Sequence, residues 1–456
     1  MSDKIALQLP KILLPVEGTD MTKWAVVACD QFTSQPDYWL KVERLVSTNP
    51  STFRLIFPEA FLEEKDSNLR IQNINSNMQL YLERNILKEQ KPGFILVDRK
   101  TSHAPSRKGL MVCLDLEAYD YNKGSQTLIR ATEGTVVERL PPRIKIRENA
   151  PIELPHIMVL IDDPDKTVIE PLFKKQLPLA YDFDLMQNSG HIKGYKIDDE
   201  TSIQEITQAL EKLADPGFFS VKYSVANKGV LLYAVGDGNH SLATAKSIWE
   251  KLKQNAPDKV SIMNHPARYA LVELVNVHDE GLDFEPIHRV MFDVELSKVL
   301  TNLKNFFGRN LSYRMYNSEA EMNKYTPSKE GTHTIPFYSG TQWGVLIIKN
   351  PPHNLEVGTL QIFLDAYIKA KNVKVDYVHG KQAVLDLASK PNTIGFFLPK
   401  MKKTDLFKTV ILEGALPRKT FSMGEADEKR FYLECRKIIP EVPKKSFFDK
   451  VKNLFS

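Results

Sequence analysis

Val230-Leu231-Leu232-Tyr233-Ala234-Val235-Gly236-Asp237-Gly238-Asn239-His240-Ser241 is the stretch that decides how this chain of 456 residues is read. Six apolar residues make a buried strand, two glycines make a tight turn, and residues 242–253 follow at helical spacing. Glycine permits backbone angles and close approaches that other residues resist, and the first amides of a helix carry a partial positive charge. A strand, a glycine turn and a helix start together form a common cradle for an anion. Asp237, Asn239, His240 and Ser241 add groups able to take a proton, hold a metal or grip a phosphate. No Gly-Lys-Ser/Thr follows, so this is no Walker loop, and the third glycine of a dinucleotide fingerprint is missing. The alternative is a plain helix-capping turn with His240 in solvent. In the helix, Leu242, Ala245, Trp249 and Leu252 share a face that would be buried, while Lys246, Glu250 and Lys253 lie elsewhere.

Outward from the turn, apolar runs at 24–28, 94–97, 109–116, 157–161, 270–277 and 343–348 read as strands. Runs at 37–45, 60–90, 203–213, 295–306, 318–325 and 360–370 read as helices. This alternation predicts a mixed α/β (α+β) fold. The length exceeds what one core usually holds, so two lobes are expected: residues 1–310 with the glycine turn, and a smaller lobe over 311–456. That smaller lobe would end in an amphipathic helix over 444–456.

Composition excludes several classes. The net charge of +4, from 61 basic and 57 acidic residues, is spread along the chain and gives no reason to expect nucleic acid as a partner. Cys29, Cys113 and Cys435 have no metal-like spacing and suit a reducing compartment as structural thiols. No leader and no run of about 18 apolar residues occurs, so a cytoplasmic protein without a membrane span is expected. His156 and His288 stand beside apolar residues, as core histidines do, and no HxH or HExxH spacing points to zinc.

Three further constellations carry chemistry. In Arg130-Ala131-Thr132-Glu133-Gly134-Thr135, followed by Pro141-Pro142-Arg143, arginines suit a bidentate grip on phosphate and Glu133 suits a base or an orienting group. The two prolines are expected to break any helix there. Asp30 and Gln31, in Ala28-Cys29-Asp30-Gln31-Phe32-Thr33-Ser34, sit at the carboxyl end of an expected strand, where open sheets place ligands. Arg418 and Lys419, in Leu416-Pro417-Arg418-Lys419-Thr420-Phe421, form a plausible anion-contacting loop with the hydroxyls beside them.

Taken together, these motifs resemble the large bacterial family called domain of unknown function 1015, and the resemblance covers nearly the whole chain. In most of that family the central turn reads Asp-Gly-His-His-Arg; here Asn239 replaces the first His and Ser241 the Arg. The turn is also similar to the signature of the ParB/sulfiredoxin-like fold, whose members cradle nucleotide phosphates on this strand, turn and helix and include free-serine kinases. The resemblance implies phosphoserine or serine as substrate, with ADP or ATP as a nucleotide partner and Asp237 as a base or a Mg²⁺ ligand. Asp237, His240 and Glu133 would be catalytic. Gly236, Gly238, Asn239, Ser241, Arg130, Arg143, Asp30, Gln31, Arg418 and Lys419 would bind the phosphorylated substrate. The expected activity is phosphoryl transfer, as a phosphatase or a nucleotide-linked kinase. A non-catalytic sensor of a nucleotide or phosphorylated metabolite is the alternative, and a ParB-like nucleotide hydrolase acting with nucleic acid is a third.

Overall fold

The computed structural model describes residues 3–62, 66–135, 137–324, 331–340 and 342–440. The helix expected over 444–456 lies outside the described residues. The fold is mixed α/β, with helices packed on two large sheets.

The first sheet has ten strands. In chain order they are β1 (Leu7–Gln8), β2 (Phe94–Lys100), β3 (Arg107–Asp115), β4 (Tyr119–Asp120), β5 (Ile129–Ala131), β6 (Met158–Ile161), β7 (Leu179–Asp184), β8 (His191–Ile197), β9 (Tyr233–Asp237) and β10 (Tyr269–Asn276). Across the sheet the order is β7-β8-β2-β3-β10-β6-β9-β5-β4, with β1 also paired to β3. The β6–β10, β5–β9 and β4–β5 pairs are parallel and the others antiparallel.

Alternation along the strands sends side chains into two cores. Ile95, Val97, Met111, Cys113 and Leu271 face a layer built from the first ninety residues and the 431–438 segment. Leu96, Leu110, Val112, Leu114, Val272 and Leu274 face the helices Glu200–Leu213 and Asn239–Asn255. A sheet buried on both faces needs the near-continuous apolar runs seen in the sequence.

The second sheet holds β11 (Phe284–Met291), β12 (Leu311–Tyr316), β13 (Thr332–Ser339), β14 (Gln342–Lys349), β15 (Val375–His379), β16 (Ile394–Phe396) and β17 (Phe421–Met423). Its order is β12-β14-β13-β16-β11-β15, with β17 on β11. The helices Leu296–Phe307, Glu356–Lys371 and Lys403–Glu413 cover its core. The chain then returns to the first sheet's side: Phe431–Tyr432 pairs with Val26–Val27, and Arg436–Lys437 with Ile152–Glu153.

Three local expectations need correction. Residues 24–28 are not one strand: Asp20 caps the short helix Met21–Trp24 through the Thr22 amide at 3.1 Å, and the strand is confined to Val26–Val27. Pro141 and Pro142 do not prevent a helix, because Leu140–Arg147 starts beside them and its first turn needs no amide donors. Leu252 is 37% exposed, whereas Leu242, Ala245 and Trp249 are buried as their spacing predicts.

Candidate active site

The turn after β9 lies where the two sheets meet. Gly236 is closely packed: a Cβ there would sit 2.9 Å from two side-chain atoms of Leu160 and 3.1 Å from Met423 Cε. Gly238 must be glycine for conformation, with φ +78° and ψ +27° at the cap of the helix Asn239–Asn255. Its carbonyl accepts the first helical bond, from the Leu242 amide at 3.0 Å. The first turn of a helix leaves its amides without acceptors inside that helix, so this end favours an anion.

A cavity of about 290 Å³ opens in front of the turn. The first sheet contributes Thr132, Glu133 and the whole of Gly236 to Ser241; the second contributes Ile287, His379, Phe421 and Ser422. Asp30, Glu59, Arg143, Lys419 and Lys429 complete the wall. Asp237, His240, Glu133, Asn239, Ser241, Arg143, Asp30 and Lys419 are therefore brought together around one space.

Asp237 is engaged at both oxygens. One accepts the Gly238 amide at 2.9 Å and the other pairs with Lys429 Nζ at 3.1 Å. Asn239 Oδ1 is buried without a hydrogen-bond partner among the described residues, so one polar atom of the wall awaits a donor. Glu133 bridges to Leu416, whose amide donates to the Thr132 carbonyl at 2.7 Å, and this ties the 416–424 loop to the end of β5. Burial pushes the Glu133 carboxyl above its ordinary range, with Asp237 adding to the rise and the Lys419 amide opposing it.

Burial also acts upward on Asp30, but His156, the Gln31 hydrogen bond and Lys429 outweigh it, and the carboxyl lies below its ordinary range. Gln31 Nε2 donates to Asp30 Oδ1 at 2.9 Å; Gln31 steadies Asp30 instead of facing the cavity. Burial raises Glu59 against the pull of Arg143, its ion-pair partner.

Two further expected site residues point elsewhere. Arg130 is buried, and its guanidinium donates to the carbonyls of Thr127 (2.8 Å), Gly229 (2.6 Å) and Val230 (3.2 Å). Three inward carbonyls at the start of the parallel β5–β9 pair claim it, and burial lowers its pKa to about 10. Arg418 turns outward to Asp365 at 2.5 Å and is half exposed. The buried Arg289 holds the Arg418 and Lys419 carbonyls at 3.0 and 3.1 Å, fixing this loop while Lys419 faces the cavity.

Sequence spacing gave no sign of other participants. His156, expected as a core histidine, sits with Nε2 3.1 Å from Ser241 Oγ and 4.0 Å from Asp30, and Nδ1 2.7 Å from the Tyr432 hydroxyl. Tyr432 also donates to Cys29 Sγ at 3.0 Å, and burial keeps both groups protonated. Lys429 arrives through the pairing of Phe431–Tyr432 with Val26–Val27, and His379 through the end of β15. An apolar run just after Lys429 is the one local hint. His288 does behave as a core histidine: Nδ1 accepts the Leu398 amide at 3.1 Å, and burial lowers its pKa to about 4.

Four carboxylates share the wall with Arg143, Lys419 and Lys429, so the cleft is not simply basic. Among the described residues no three His, Cys, Asp or Glu side chains cluster closely enough to hold a metal ion by themselves. Mg²⁺ usually takes one or two carboxylates plus substrate phosphates, and this donor set fits an ion that arrives with its phosphate.

The sequence profile of a protein family of unknown function, DUF1015, matches residues 13–367. The chain belongs to the DUF1015 family. Among curated proteins none matches this DUF1015 chain. Several solved structures resemble it distantly. A conserved hypothetical protein from Pyrococcus furiosus is 13% identical, with a TM-score of 0.34 over 72% of this chain and 95% of its own. A free serine kinase variant in complex with AMP is 10% identical, with a TM-score of 0.36 over 72% of this chain and 92% of its own. SbnI with a C-terminal truncation, from Staphylococcus aureus, is 9% identical, with a TM-score of 0.32 over 75% of this chain and 93% of its own. At these scores the likenesses carry no argument about what the DUF1015 chain binds. No helix among the described residues is long and apolar enough to cross a membrane.

Proposed function

We propose that the cleft between the two sheets transfers a phosphoryl group to or from a small phosphorylated metabolite, with L-phosphoserine the first compound to test. One observation carries this reading: the amide-rich start of the helix Asn239–Asn255 opens into a cavity that also holds Lys419, Lys429, Arg143 and the carboxylates of Asp237 and Glu133. The phosphate would lie on the amides of residues 239–241, with Lys429 and Lys419 against its oxygens. In hydrolysis, water oxygen bonds to phosphorus as the ester P–O bond breaks. Glu133, its proton affinity raised by burial, takes the proton from water, and His240 returns one to the leaving oxygen. In the nucleotide-linked direction a substrate hydroxyl replaces water and ADP or ATP carries the exchanged phosphate.

Asp237 is the residue that would hold Mg²⁺, giving up Lys429 to do so. The ion would offset charge on the phosphoryl oxygens. Arg143 supplies further positive charge from the cavity wall, whereas Arg130 has no part in this scheme.

The assay is phosphate release from L-phosphoserine with Mg²⁺, with and without ADP or ATP, beside Asp237→Ala. The variant is expected to lose turnover by orders of magnitude; retained turnover sinks the catalytic role. A sensor is the second reading, favoured by Asp237 being engaged at both oxygens. It predicts stabilisation by ligand without turnover, about 2.7 kcal/mol at a hundred times the dissociation constant.

A further inference from the structure

A second cavity of about 130 Å³ adjoins the cleft, and Glu59, Arg143 and Ser241 line both. Ile56, Leu62, Met78, Ile146 and Leu154 form much of its wall. The charged groups around it are matched to one another: Glu59 with Arg143, and Glu153 with Arg147 and Arg436. Nothing in that pairing calls for a polar ligand. The other polar groups of the wall are engaged as well: His156 bonds Ser241 and Tyr432, Tyr432 donates to Cys29, and Thr244 donates to the His240 carbonyl, which leaves little for a buried water with its two to four polar partners. An apolar cavity of about 150 Å³ takes a benzene ring, so this chamber has room for a group of up to about six carbons.

We propose that the chamber binds the apolar part of the molecule whose phosphate occupies the cleft. The substrate class is then a phosphate ester carrying an aliphatic tail of up to about six carbons. This rests on the phosphate-binding reading of the cleft and extends it. The two compartments meet at Ser241 and the Glu59–Arg143 pair, so head and tail would pass that junction. L-phosphoserine has no such tail and would occupy the cleft while leaving the chamber empty.

The test is calorimetric titration of the full chain with inorganic phosphate and the n-alkyl phosphates from methyl to octyl. Affinity relative to inorganic phosphate should climb about fourfold per methylene and level off near six carbons. Leu154→Trp, at a half-buried position on the chamber wall, should flatten the climb when read against its own inorganic phosphate value. A flat series in the unmodified protein, with inorganic phosphate bound, overturns the chamber and leaves the phosphate cleft standing. A climb that continues to octyl, or one unchanged in Leu154→Trp, places the tail elsewhere and also overturns it. Absence of binding by any phosphate removes both readings.

Discussion

Gly238→Ala adds one methyl group at the centre of the candidate site, and its effect can be worked from the backbone. At φ +78° an L-residue pays about 1–2 kcal/mol in the left-handed region. The new Cβ would stand 3.0 Å from both Cα and Cγ1 of Ile157, and crowding against that backbone adds about 1 kcal/mol. Reduced freedom of the unfolded chain returns about 0.4–1 kcal/mol. The net is a loss of about 1–2.6 kcal/mol in stability. The ligand effect should be larger. If the turn shifts away from Ile157, at least one amide loses its aim at the phosphate, and a hydrogen bond to a charged group is worth about 1.5–3 kcal/mol. Inorganic phosphate should then bind at least about tenfold more weakly. Gly134→Ala is the control: its Cβ would meet nothing within 4 Å and its φ is not positive, so stability should hold or rise. Denaturation midpoints and calorimetric phosphate titrations of the three proteins decide the matter. A Gly238→Ala protein with unchanged midpoint and affinity refutes the reasoning.

Glu133 predicts a pH dependence. Its raised pKa means the folded chain keeps that proton above the unfolded value, so stability falls as pH rises through the window above 4.5, while a base role makes activity rise there. Glu133→Gln should erase the acid limb of the rate profile; an unchanged limb assigns it to another group. His156→Gln should move the Asp30 carboxyl upward, since His156 is a main force holding it down, and a carboxyl titration followed by NMR reads this directly. A static Asp30 contradicts the assigned contact. Arg130→Met should lower stability by about 2–3 kcal/mol by orphaning buried carbonyls. Its folded fraction should keep KM and kcat, and a specific kinetic defect without destabilisation overturns the structural role.

The parts of this molecule legible in its sequence are those written locally. The near-continuous apolar runs at 94–97 and 109–116 mark strands buried on both faces, and the glycines at 236 and 238 mark a tight turn. Asp30, Arg143, Glu133 and Lys419 are polar groups beside turns that stand out against apolar strands, and all four line the cavity. Arg130 stands out in the same way but does not line the cavity, because the Gly229 and Val230 carbonyls claim its guanidinium. His156, Tyr432 and Lys429 were illegible for the complementary reason. Their meeting depends on the strand Phe431–Tyr432 returning across some four hundred residues to Val26–Val27, and no local spacing encodes that pairing.

The most direct test of the central claim is a crystal structure of the full chain with phosphate bound. Phosphate is expected on the amides of residues 239–241, flanked by Lys419 and Lys429. Phosphate bound with comparable order outside this cleft, and none at the turn under saturating conditions, would contradict it.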